Sequence, residues 1–276
     1  MRDTATVLAV NLLLQRSGRR SFDESVTAAG RRLGLDCTVV YPDALDTARI
    51  EDYSQIVLSG SEASILEKQS WDEDLHTLVD AAAHAETPLL GICYGAQFIA
   101  RHFGGADAVG RLPVPEFGYA RISVPPLDAD RDGAPGRDNA LFHAISDPVC
   151  VEIHYDCIRH APAGFIVLSS NDVSIQIIRH ETLPIVAYQF HPEMSHGYAE
   201  KVFGKLQTEE PRFDDAWRND PAGLPAADLA SALEQGERFL TNFLRGGAGA
   251  SRTGGPRTGG PRTRAADAVT GGSTTG

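Results

Sequence analysis

The sequence predicts an α/β protein with a mainly parallel central sheet, helices on both faces of that sheet, and a small antiparallel addition. In residues 1–105, short apolar runs alternate with segments of helical spacing, which is the pattern of parallel βαβ units. After residue 105, β-rich runs follow one another without intervening helices, which is typical of antiparallel strands. Hydrophobic residues make up 42% of the 276 residues, enough for a sizeable core.

The first part of the chain contains four predicted strands and three predicted helices. The strands are TVLAVN (6–11), DCTVVYP (36–42), SQIVLSGSEAS (54–64) and PLLGI (88–92). The helices are FDESVTAAGRRLG (22–34), SWDEDLHTLVDAAAHAE (70–86) and GAQFIARHFGG (95–105). Glycine ends the first and third helices, because it readily adopts the backbone conformation that stops a helix.

The second part of the chain contains the predicted antiparallel strands. They are YARISV (119–124), VCVEIHY (149–155), FIVLSSN (165–171), VSIQIIRH (173–180) and PIVAYQFHPE (184–193). The last run is predicted to return to the main sheet. The polar stretch 125–140 is predicted to be a loop, and the segments 196–207 and 226–246 are predicted to be closing helices.

The chain is predicted to comprise one domain, residues 1–245, and a disordered tail, residues 246–276. The tail contains two tandem copies of RTGGP and consists largely of Gly, Thr, Pro and Arg. These residues bury too little apolar surface to offset the entropy of ordering the chain. A basic tail with a binding role is the alternative interpretation of the same residues.

The net charge, the apolar runs and the cysteines indicate which partners and which cellular compartment to expect. The net charge is −12, and an acidic protein of this kind is a poor match for a phosphate backbone, so we expect no nucleic acid partner. No stretch has the roughly 18 apolar residues that a membrane span needs, and the N-terminal run lacks a signal-peptide cleavage site. The four cysteines form no C-x-x-C pair, which favours free thiols in a reducing cytoplasm.

The pentapeptide GICYG, residues 91–95, places Cys93 between a predicted strand and a predicted helix. A tight strand-to-helix turn lifts its middle side chain above the sheet, and small residues on both sides allow the chain to turn that sharply. The N-terminus of the following helix lowers the pKa of a nearby thiol. The pentapeptide alone leaves a nucleophile and a buried structural thiol equally open, because free cysteine is often buried and inert.

The segment QFHPE, residues 189–193, supplies a base for such a nucleophile. His191 follows an apolar strand, and parallel sheets place their sites at the carboxyl ends of their strands. Glu193 lies two residues later, where a carboxylate can fix the tautomer of the imidazole and stabilise its charged form. A polar loop residue is the alternative for His191, but a strand-end His beside a carboxylate favours catalysis.

These motifs together resemble the class I glutamine amidotransferases, whose members carry a G-x-C-x-G-x-Q element and a late H-P-E. The matching segments are LLGICYGAQFIARHFGG (89–105) and YQFHPE (188–193), in the same order and with a similar gap. Similar elements are VLSGSEAS (57–64), EFGY (116–119) and IHYDCI (153–158). The resemblance covers residues 6–205, extends to the amidotransferase domain of the GMP synthases, and implies a flavodoxin-like three-layer sandwich.

The resemblance also implies roles for individual residues. Cys93 is expected to be the nucleophile, His191 the base and Glu193 the group that orients it. Further expected roles are the oxyanion hole for the backbone of Ser61 and Tyr94, substrate binding for Gly60 and Gln97, and a place at the rim of the site for His154 and Asp156. For the last two residues, a satisfied polar pair at a strand end is an equal alternative.

One loop of this sequence departs from the family pattern. Ser61 replaces the second glycine of an S-G-G-P loop, and Glu62 replaces its proline. A serine at a position that needs a positive φ is more strained than glycine. A glutamate that faces the site opposes formation of a thiolate.

The function implied by the resemblance is that of a glutaminase subunit that hydrolyses glutamine and passes ammonia to a separate synthetase. The sequence has neither a G-x-x-x-x-G-K-[ST] loop nor a Rossmann fingerprint, so the ammonia-accepting synthetase is expected to be another subunit. No metal or organic cofactor is expected. The alternatives are a γ-glutamyl hydrolase that needs no partner and a non-catalytic regulatory subunit on the same fold.

Overall fold

A computed structural model describes residues 5–124, 140–209 and 226–249. The first half of the chain contains β1 (Thr6–Val10), α1 (Arg16–Arg32), β2 (Asp36–Val40), β3 (Gln55–Leu58), α2 (Asp72–His84), β4 (Leu89–Ile92) and α3 (Tyr94–Gly104). The elements that follow are β5 (Val109–Arg121), β6 (Val149–Ile158), β7 (Phe165–Ser170), β8 (Ile175–His180), β9 (Ile185–Tyr188), α4 (His196–Glu209) and α5 (Ala226–Gly249). Short 3₁₀ helices occupy Pro42–Ala44, Thr47–Asp52 and Ala106–Ala108.

The main sheet has seven strands in the order β2-β1-β3-β4-β9-β8-β7. All pairings from β2 to β9 are parallel, whereas β8 and β7 are added in antiparallel fashion. The order of the five parallel strands is that of a flavodoxin-like, doubly wound sheet. The predicted α/β fold with a mainly parallel sheet is therefore confirmed. β9 lies beside β4, so the carboxyl ends of these two strands meet at one edge of the sheet.

Strands β5 and β6 form a separate two-stranded antiparallel ribbon. The predicted antiparallel addition thus has two parts, this ribbon and the edge strands β7 and β8. β5 begins at Val109, well before the predicted run 119–124, and its pairing with β6 is irregular between Arg111 and Glu116. The predicted polar loop 125–140 lies outside the described residues except for its last residue.

Apolar side chains cover both faces of the main sheet. Because side chains alternate along a strand, Leu8 and Val10 of β1 face one layer while Val7 and Ala9 face the other. Helices α2 and α3 pack on the first face, and α1 and α5 pack on the second. A third apolar cluster, which includes Phe117 and Phe203, joins the β5–β6 ribbon to α4 and α5. This arrangement confirms the three-layer sandwich.

The last described helix passes the predicted end of the domain. α5 ends at Gly249, inside the segment predicted as the tail, and residues 250–276 lie outside the described part of the chain. The boundary at residue 245 and the disorder of the tail therefore stay predictions.

Among the described residues, no helix combines the length and apolar character that crossing a membrane requires.

Candidate active site

Cys93 occupies the sharp turn between β4 and α3. Its backbone has φ 50° and ψ −105°, in the region of positive φ that non-glycine residues rarely adopt. Such geometry costs on the order of 1–3 kcal/mol and persists where the surrounding structure enforces it, often at functional sites. The Cys93 N–H donates a 2.8 Å hydrogen bond to the carbonyl oxygen of Tyr188, the last residue of β9. The side chain is buried, with 4% of its surface exposed.

The two glycines around Cys93 are required by close backbone contacts. A methyl group on Gly91 would lie 2.5 Å from the carbonyl oxygen of Gly95, and one on Gly95 would lie 2.7 Å from that of Leu58. Both distances are below the contact distance of real side chains. The turn is therefore restricted to glycine at both positions, as expected of a nucleophile elbow.

His191 and Glu193 follow β9 at the same edge of the sheet. Nδ1 of His191 lies 2.8 Å from Oε1 of Glu193, and both side chains are buried. Burial disfavours the charged imidazole, but the negative charge of Glu193 and the contact with Cys93 outweigh it and raise the pKa of His191 well above its ordinary value. These surroundings favour the charged form of the imidazole.

Gly60 packs directly against both Cys93 and His191. A methyl group at this position would lie 2.9 Å from Cε1 of His191 and 3.5 Å from Cβ of Cys93. The loop after β3 therefore forms one wall of the space that the thiol and the imidazole share. The structure brings Cys93, His191, Glu193 and Gly60 together.

The loop residues that depart from the family pattern have partners on the β1–α1 side. Among the described non-glycine residues, only Glu86, Cys93 and Ala144 have positive φ, so Ser61 carries no strain of that kind. Its hydroxyl donates to the carbonyl oxygen of Leu12 at 2.8 Å. The Glu62 carboxylate accepts the N–H groups of Leu14 at 2.6 Å and Gln15 at 3.3 Å. Glu62 is thus directed at the start of α1, not at the thiol.

Gln97 lies one helical turn after Tyr94 and contacts β6. Its side-chain Nε2 donates to the carbonyl oxygen of Asp156 at 2.6 Å and to Oε1 of Gln189 at 3.3 Å. Gln97 is buried. The residue predicted to bind substrate is therefore anchored to the strand that lies over the site.

His154 lies in a buried ionic cluster with Glu116 and Glu152. Its Nε2 is 3.0 Å from Oε2 of Glu116 and 3.2 Å from Oε2 of Glu152. Glu116 is directly opposite His154 in the β5–β6 pairing, and Glu152 precedes His154 by two positions on the same face of β6. His154 is 3% exposed and Glu152 is fully buried.

Asp156 points to a different group of residues. Its carboxylate accepts the hydroxyl of Ser64 at 2.7 Å and pairs with Nε of Arg111 at 2.9 Å. Arg111 is half exposed, whereas Asp156 is buried. The side chains of His154 and Asp156, predicted together as rim residues, therefore have different ionic partners, while Nδ1 of His154 lies 3.0 Å from the backbone carbonyl oxygen of Asp156.

Three of these residues had no predicted role: Arg111, Glu152 and Ser64. Glu116 was noted only as part of a motif. The alternation of Glu152, His154 and Asp156 along one strand was the available signal, because period-two spacing places all three on one face. Nothing in the sequence indicated that Glu116 would lie opposite His154.

Glu116, Glu152 and His154 are the one group among the described residues whose ligand atoms lie within 4.8 Å of one another, close enough to surround a metal ion. Glu116 already accepts hydrogen bonds from Asn171, Ser174 and Gln176. His154 faces oxygen atoms at both ring nitrogens. Opposite charges bring Nε2 of His154 close to both carboxylates, but this nitrogen and the two carboxylate oxygens of Glu152 have no hydrogen-bond partner among the described residues.

The sequence is similar to that of known glutamine amidotransferases. The family profile described as Glutamine amidotransferase class-I matches residues 18–207. A separate subunit of the glutamine-hydrolysing GMP synthase of Thermoplasma acidophilum is 35% identical over 179 residues, which is 63% of this chain and 80% of that protein. The glutamine-hydrolysing GMP synthase of Wolinella succinogenes is 30% identical over 190 residues, 68% of this chain but 34% of that longer protein.

Solved structures show the same fold. A glutamine amidotransferase of Methylobacillus flagellatus superposes with a TM-score of 0.66 over 88% of this chain and 96% of that one. Its sequence is 18% identical, so this likeness concerns the fold alone. The chain therefore matches most of the length of the separate Thermoplasma subunit, and about a third of the length of the longer Wolinella synthase.

Proposed function

This chain belongs to the class I glutamine amidotransferase family, and we propose that it hydrolyses glutamine to glutamate and ammonia through Cys93, His191 and Glu193. The observation that carries the proposal is the buried His191–Glu193 pair, with an Nδ1–Oε1 distance of 2.8 Å, beside a cysteine in a strained strand-to-helix turn. The proposal extends to the transfer of the ammonia to a separate synthetase subunit.

In the first step, the Cys93 thiolate attacks the side-chain carbonyl carbon of glutamine, and the C=O bond becomes a C–O⁻ bond. The starting state is a thiolate–imidazolium pair, and the buried carboxylate of Glu193 supports it by raising the pKa of His191. Glu193 holds the imidazole through Nδ1, which leaves Nε2 for the reacting groups.

The oxyanion needs hydrogen-bond donors placed in advance. The backbone N–H groups of Tyr94, at the first turn of α3, and of Ser61, in the loop after β3, are the proposed donors. The ordinary backbone of Ser61 supports this role, because the replacement of glycine introduces no positive-φ strain there. Gln97 is proposed to contact the remainder of the glutamine molecule.

In the second step, the imidazolium gives its proton to the leaving amide nitrogen as the C–N bond breaks, which releases ammonia and leaves a glutamyl thioester on Cys93. His191 then takes a proton from a water molecule, whose oxygen attacks the thioester carbon. Collapse of this intermediate breaks the C–S bond, and glutamate leaves. Each proton that His191 takes is returned within the cycle.

A separate synthetase is the proposed acceptor of the ammonia. The match to 80% of a GMP synthase subunit that is a separate chain supports this proposal. The sequence also lacks a P-loop and a Rossmann fingerprint. The chemical identity of the final nitrogen acceptor is a property of that partner.

The test is an assay of the purified full chain for glutamate release from glutamine and from a γ-glutamyl amine, with the Cys93→Ala variant as the control. Preferred turnover of glutamine that the variant loses supports the proposal. Preferred turnover of the γ-glutamyl amine would favour a γ-glutamyl hydrolase. Equal rates for the wild type and Cys93→Ala would exclude the thiol mechanism. Pull-down from the native cell extract, followed by an ammonia-transfer assay, tests the partner.

A further inference from the structure

We propose that His154 is a positioning residue: held between Glu116 and Glu152, its cationic imidazole fixes β6 over the active site. The proposal rests on the proposed glutaminase function, because it assigns β6 a part in that reaction. The polar contacts of the His154 ring are with Glu116, Glu152 and the Asp156 carbonyl, so its action on the site passes through the strand.

The groups around His154 favour a proton on each ring nitrogen. Nδ1 lies 3.0 Å from the carbonyl oxygen of Asp156, and a carbonyl can only accept. Nε2 faces a carboxylate oxygen of Glu116 at 3.0 Å and one of Glu152 at 3.2 Å. A carbonyl oxygen on one side and two carboxylates at ion-pair distance on the other favour the doubly protonated, cationic imidazole.

The surrounding charges agree with this protonation state. Burial opposes the charged imidazole, but the adjacent carboxylates of Glu116 and Glu152 raise the pKa of His154 to about 10. Burial, together with the charge of Glu116, raises the pKa of Glu152 to about 7, against the effects of His154 and His191. Cys150, on the same strand, has its thiol pKa raised by burial and by Glu152 and Glu193. On the Nδ1 side of the ring, the Asp156 residue supplies its backbone carbonyl, and its carboxylate pairs with Arg111.

β6 touches each part of the proposed active site through its backbone. The carbonyl oxygen of Val151 accepts the N–H of His191 at 2.9 Å. The carbonyl oxygen of Ile153 lies 3.8 Å from Sγ of Cys93. The carbonyl oxygen of Asp156 accepts Nε2 of Gln97 at 2.6 Å. The base, the nucleophile and the proposed substrate contact therefore all depend on where this strand lies.

The Asp156 carbonyl links the ionic cluster to the site directly. It accepts one hydrogen bond from Nδ1 of His154 and another from Nε2 of Gln97. Removal of the His154 cation ends the first bond and leaves two buried carboxylates with no cation between them. Their repulsion acts across the β5–β6 pairing, because Glu116 is on β5 and Glu152 on β6. A shift of β6 then moves the partner of Gln97.

The experiment compares four variants of the full chain: His154→Gln, Glu152→Gln, the double variant of both, and His160→Gln. The last replaces a half-exposed histidine outside the cluster and serves as the control. The measurements are kcat and KM for glutamine as a function of pH, and the rate at which iodoacetamide labels Cys93, followed by mass spectrometry of its peptide. The labelling rate reports how accessible Cys93 is beneath β6, and it can be measured even in a chain without glutaminase activity.

We expect His154→Gln to raise KM, to lower kcat/KM by about 10-fold or more, and to label several-fold faster at Cys93. Its pH profile should lack the alkaline loss of activity that follows deprotonation of His154. Glu152→Gln should stay close to the wild type, since one carboxylate still pairs with the cation. The double variant should recover part of the lost activity, because the neutral amide introduced at position 154 then faces one carboxylate instead of two. It also serves as the test variant if His154→Gln does not fold.

Two results would overturn the inference. One is a folded His154→Gln or double variant whose kcat, KM, pH profile and labelling rate all equal those of the wild type and His160→Gln. The other is a stoichiometric divalent metal in the purified chain that a chelator removes with the same loss of activity, because a metal ligand cannot be a doubly protonated imidazole. Absence of glutaminase activity in the wild type contradicts the proposed function instead, and the labelling rates still decide this inference.

Discussion

The backbone N–H of His191 donates a 2.9 Å hydrogen bond to the carbonyl oxygen of Val151. This contact is an isolated antiparallel bridge between the segment after β9 and the β5–β6 ribbon. The proposed base is thus attached on one side to the main sheet, through β9, and on the other to a separate pair of strands. Changes in either part of the fold are expected to alter the reacting geometry.

Replacement of Cys93 separates chemistry from backbone strain. Both Cys93→Ala and Cys93→Gly are expected to abolish glutaminase activity, because neither retains a nucleophile. Cys93→Gly should exceed Cys93→Ala in unfolding free energy by about 1 kcal/mol, because glycine tolerates the positive φ at this position. Urea unfolding of the two variants measures the difference, and equal stabilities would show that the turn is not strained.

Glu193→Gln tests the orientation of the base. The amide keeps the size of the side chain but removes the charge that raises the pKa of His191. We expect kcat to fall on the order of 10²–10⁴-fold, since the imidazole loses its fixed tautomer and the stabilisation of its charged form. Steady-state kinetics measures this effect, with Glu200→Gln as the surface control. A loss below about threefold would assign Glu193 a structural role only.

Gly60→Ala tests the wall between the thiol and the imidazole. Its methyl group would lie 2.9 Å from Cε1 of His191, so the ring must move. We expect a stability loss of about 1–3 kcal/mol and a kcat at least about 10-fold lower. Gly204→Ala is the matched control, because a methyl group there meets nothing within 4 Å, and it should stabilise α4 by up to about 1 kcal/mol. Wild-type kinetics in Gly60→Ala would contradict the packing.

Glu62→Ala tests whether this carboxylate serves the fold or the site. Loss of its bonds to the N–H groups of Leu14 and Gln15 should reduce the unfolding free energy by about 1 kcal/mol. The pH dependence of Cys93 alkylation should stay that of the wild type. An acceleration of alkylation at neutral pH would instead mean that Glu62 opposes the thiolate.

The unfolding free energy is expected to fall as the pH rises from about 5 to about 10. Unfolded Glu and His titrate near 4.3 and 6.5, whereas folded Glu152 and His154 have pKa values of about 7 and about 10. Both groups therefore bind protons more tightly in the folded chain, and their stabilisation is present at low pH and lost as pH rises through the folded values. Each contributes at most about 1.4 kcal/mol per pH unit.

Urea unfolding at a series of pH values measures this slope. Glu152→Gln should remove the part between about pH 5 and 7 and leave the alkaline part. A wild-type stability that rises over the same range, or a Glu152→Gln variant with an unchanged slope, would contradict the assignment of these two pKa values.

Local sequence signals predicted the elements that position the candidate site. The glycines around Cys93 determine a turn only five residues long, and the apolar strand before His191 places that residue at a strand end. Both signals are local, so both could be recognised in the sequence. The parallel character of the sheet could be inferred because alternating strands and helices form βαβ units. The start of α1 at Arg16 was missed, since its first turns are polar and lack an apolar stripe.

The side-chain partners within the site could not be predicted. The Glu116–His154 pair depends on the register of β5 and β6, which shifts at an irregularity between Arg111 and Glu116. The direction of Glu62 depends on a loop that precedes it by almost fifty residues. Gln97 was predicted to bind substrate, but its bond to Asp156 requires the ribbon to lie over α3. In each of these three examples, the partner of the side chain lies on a segment that is distant in the sequence.

The central place of β9 has a consequence for synthesis on the ribosome. β4 pairs with β9, although residues 93–184 separate them, and the Cys93 N–H is bonded to the carbonyl oxygen of Tyr188. A nascent chain that has emerged only as far as α3 therefore exposes one edge of β4, beside an unfinished turn. The thiol meets His191 and Glu193 only when residues 185–193 have left the exit tunnel. The proposed catalytic group is therefore completed late in translation, whereas an aggregation-prone strand edge is present early.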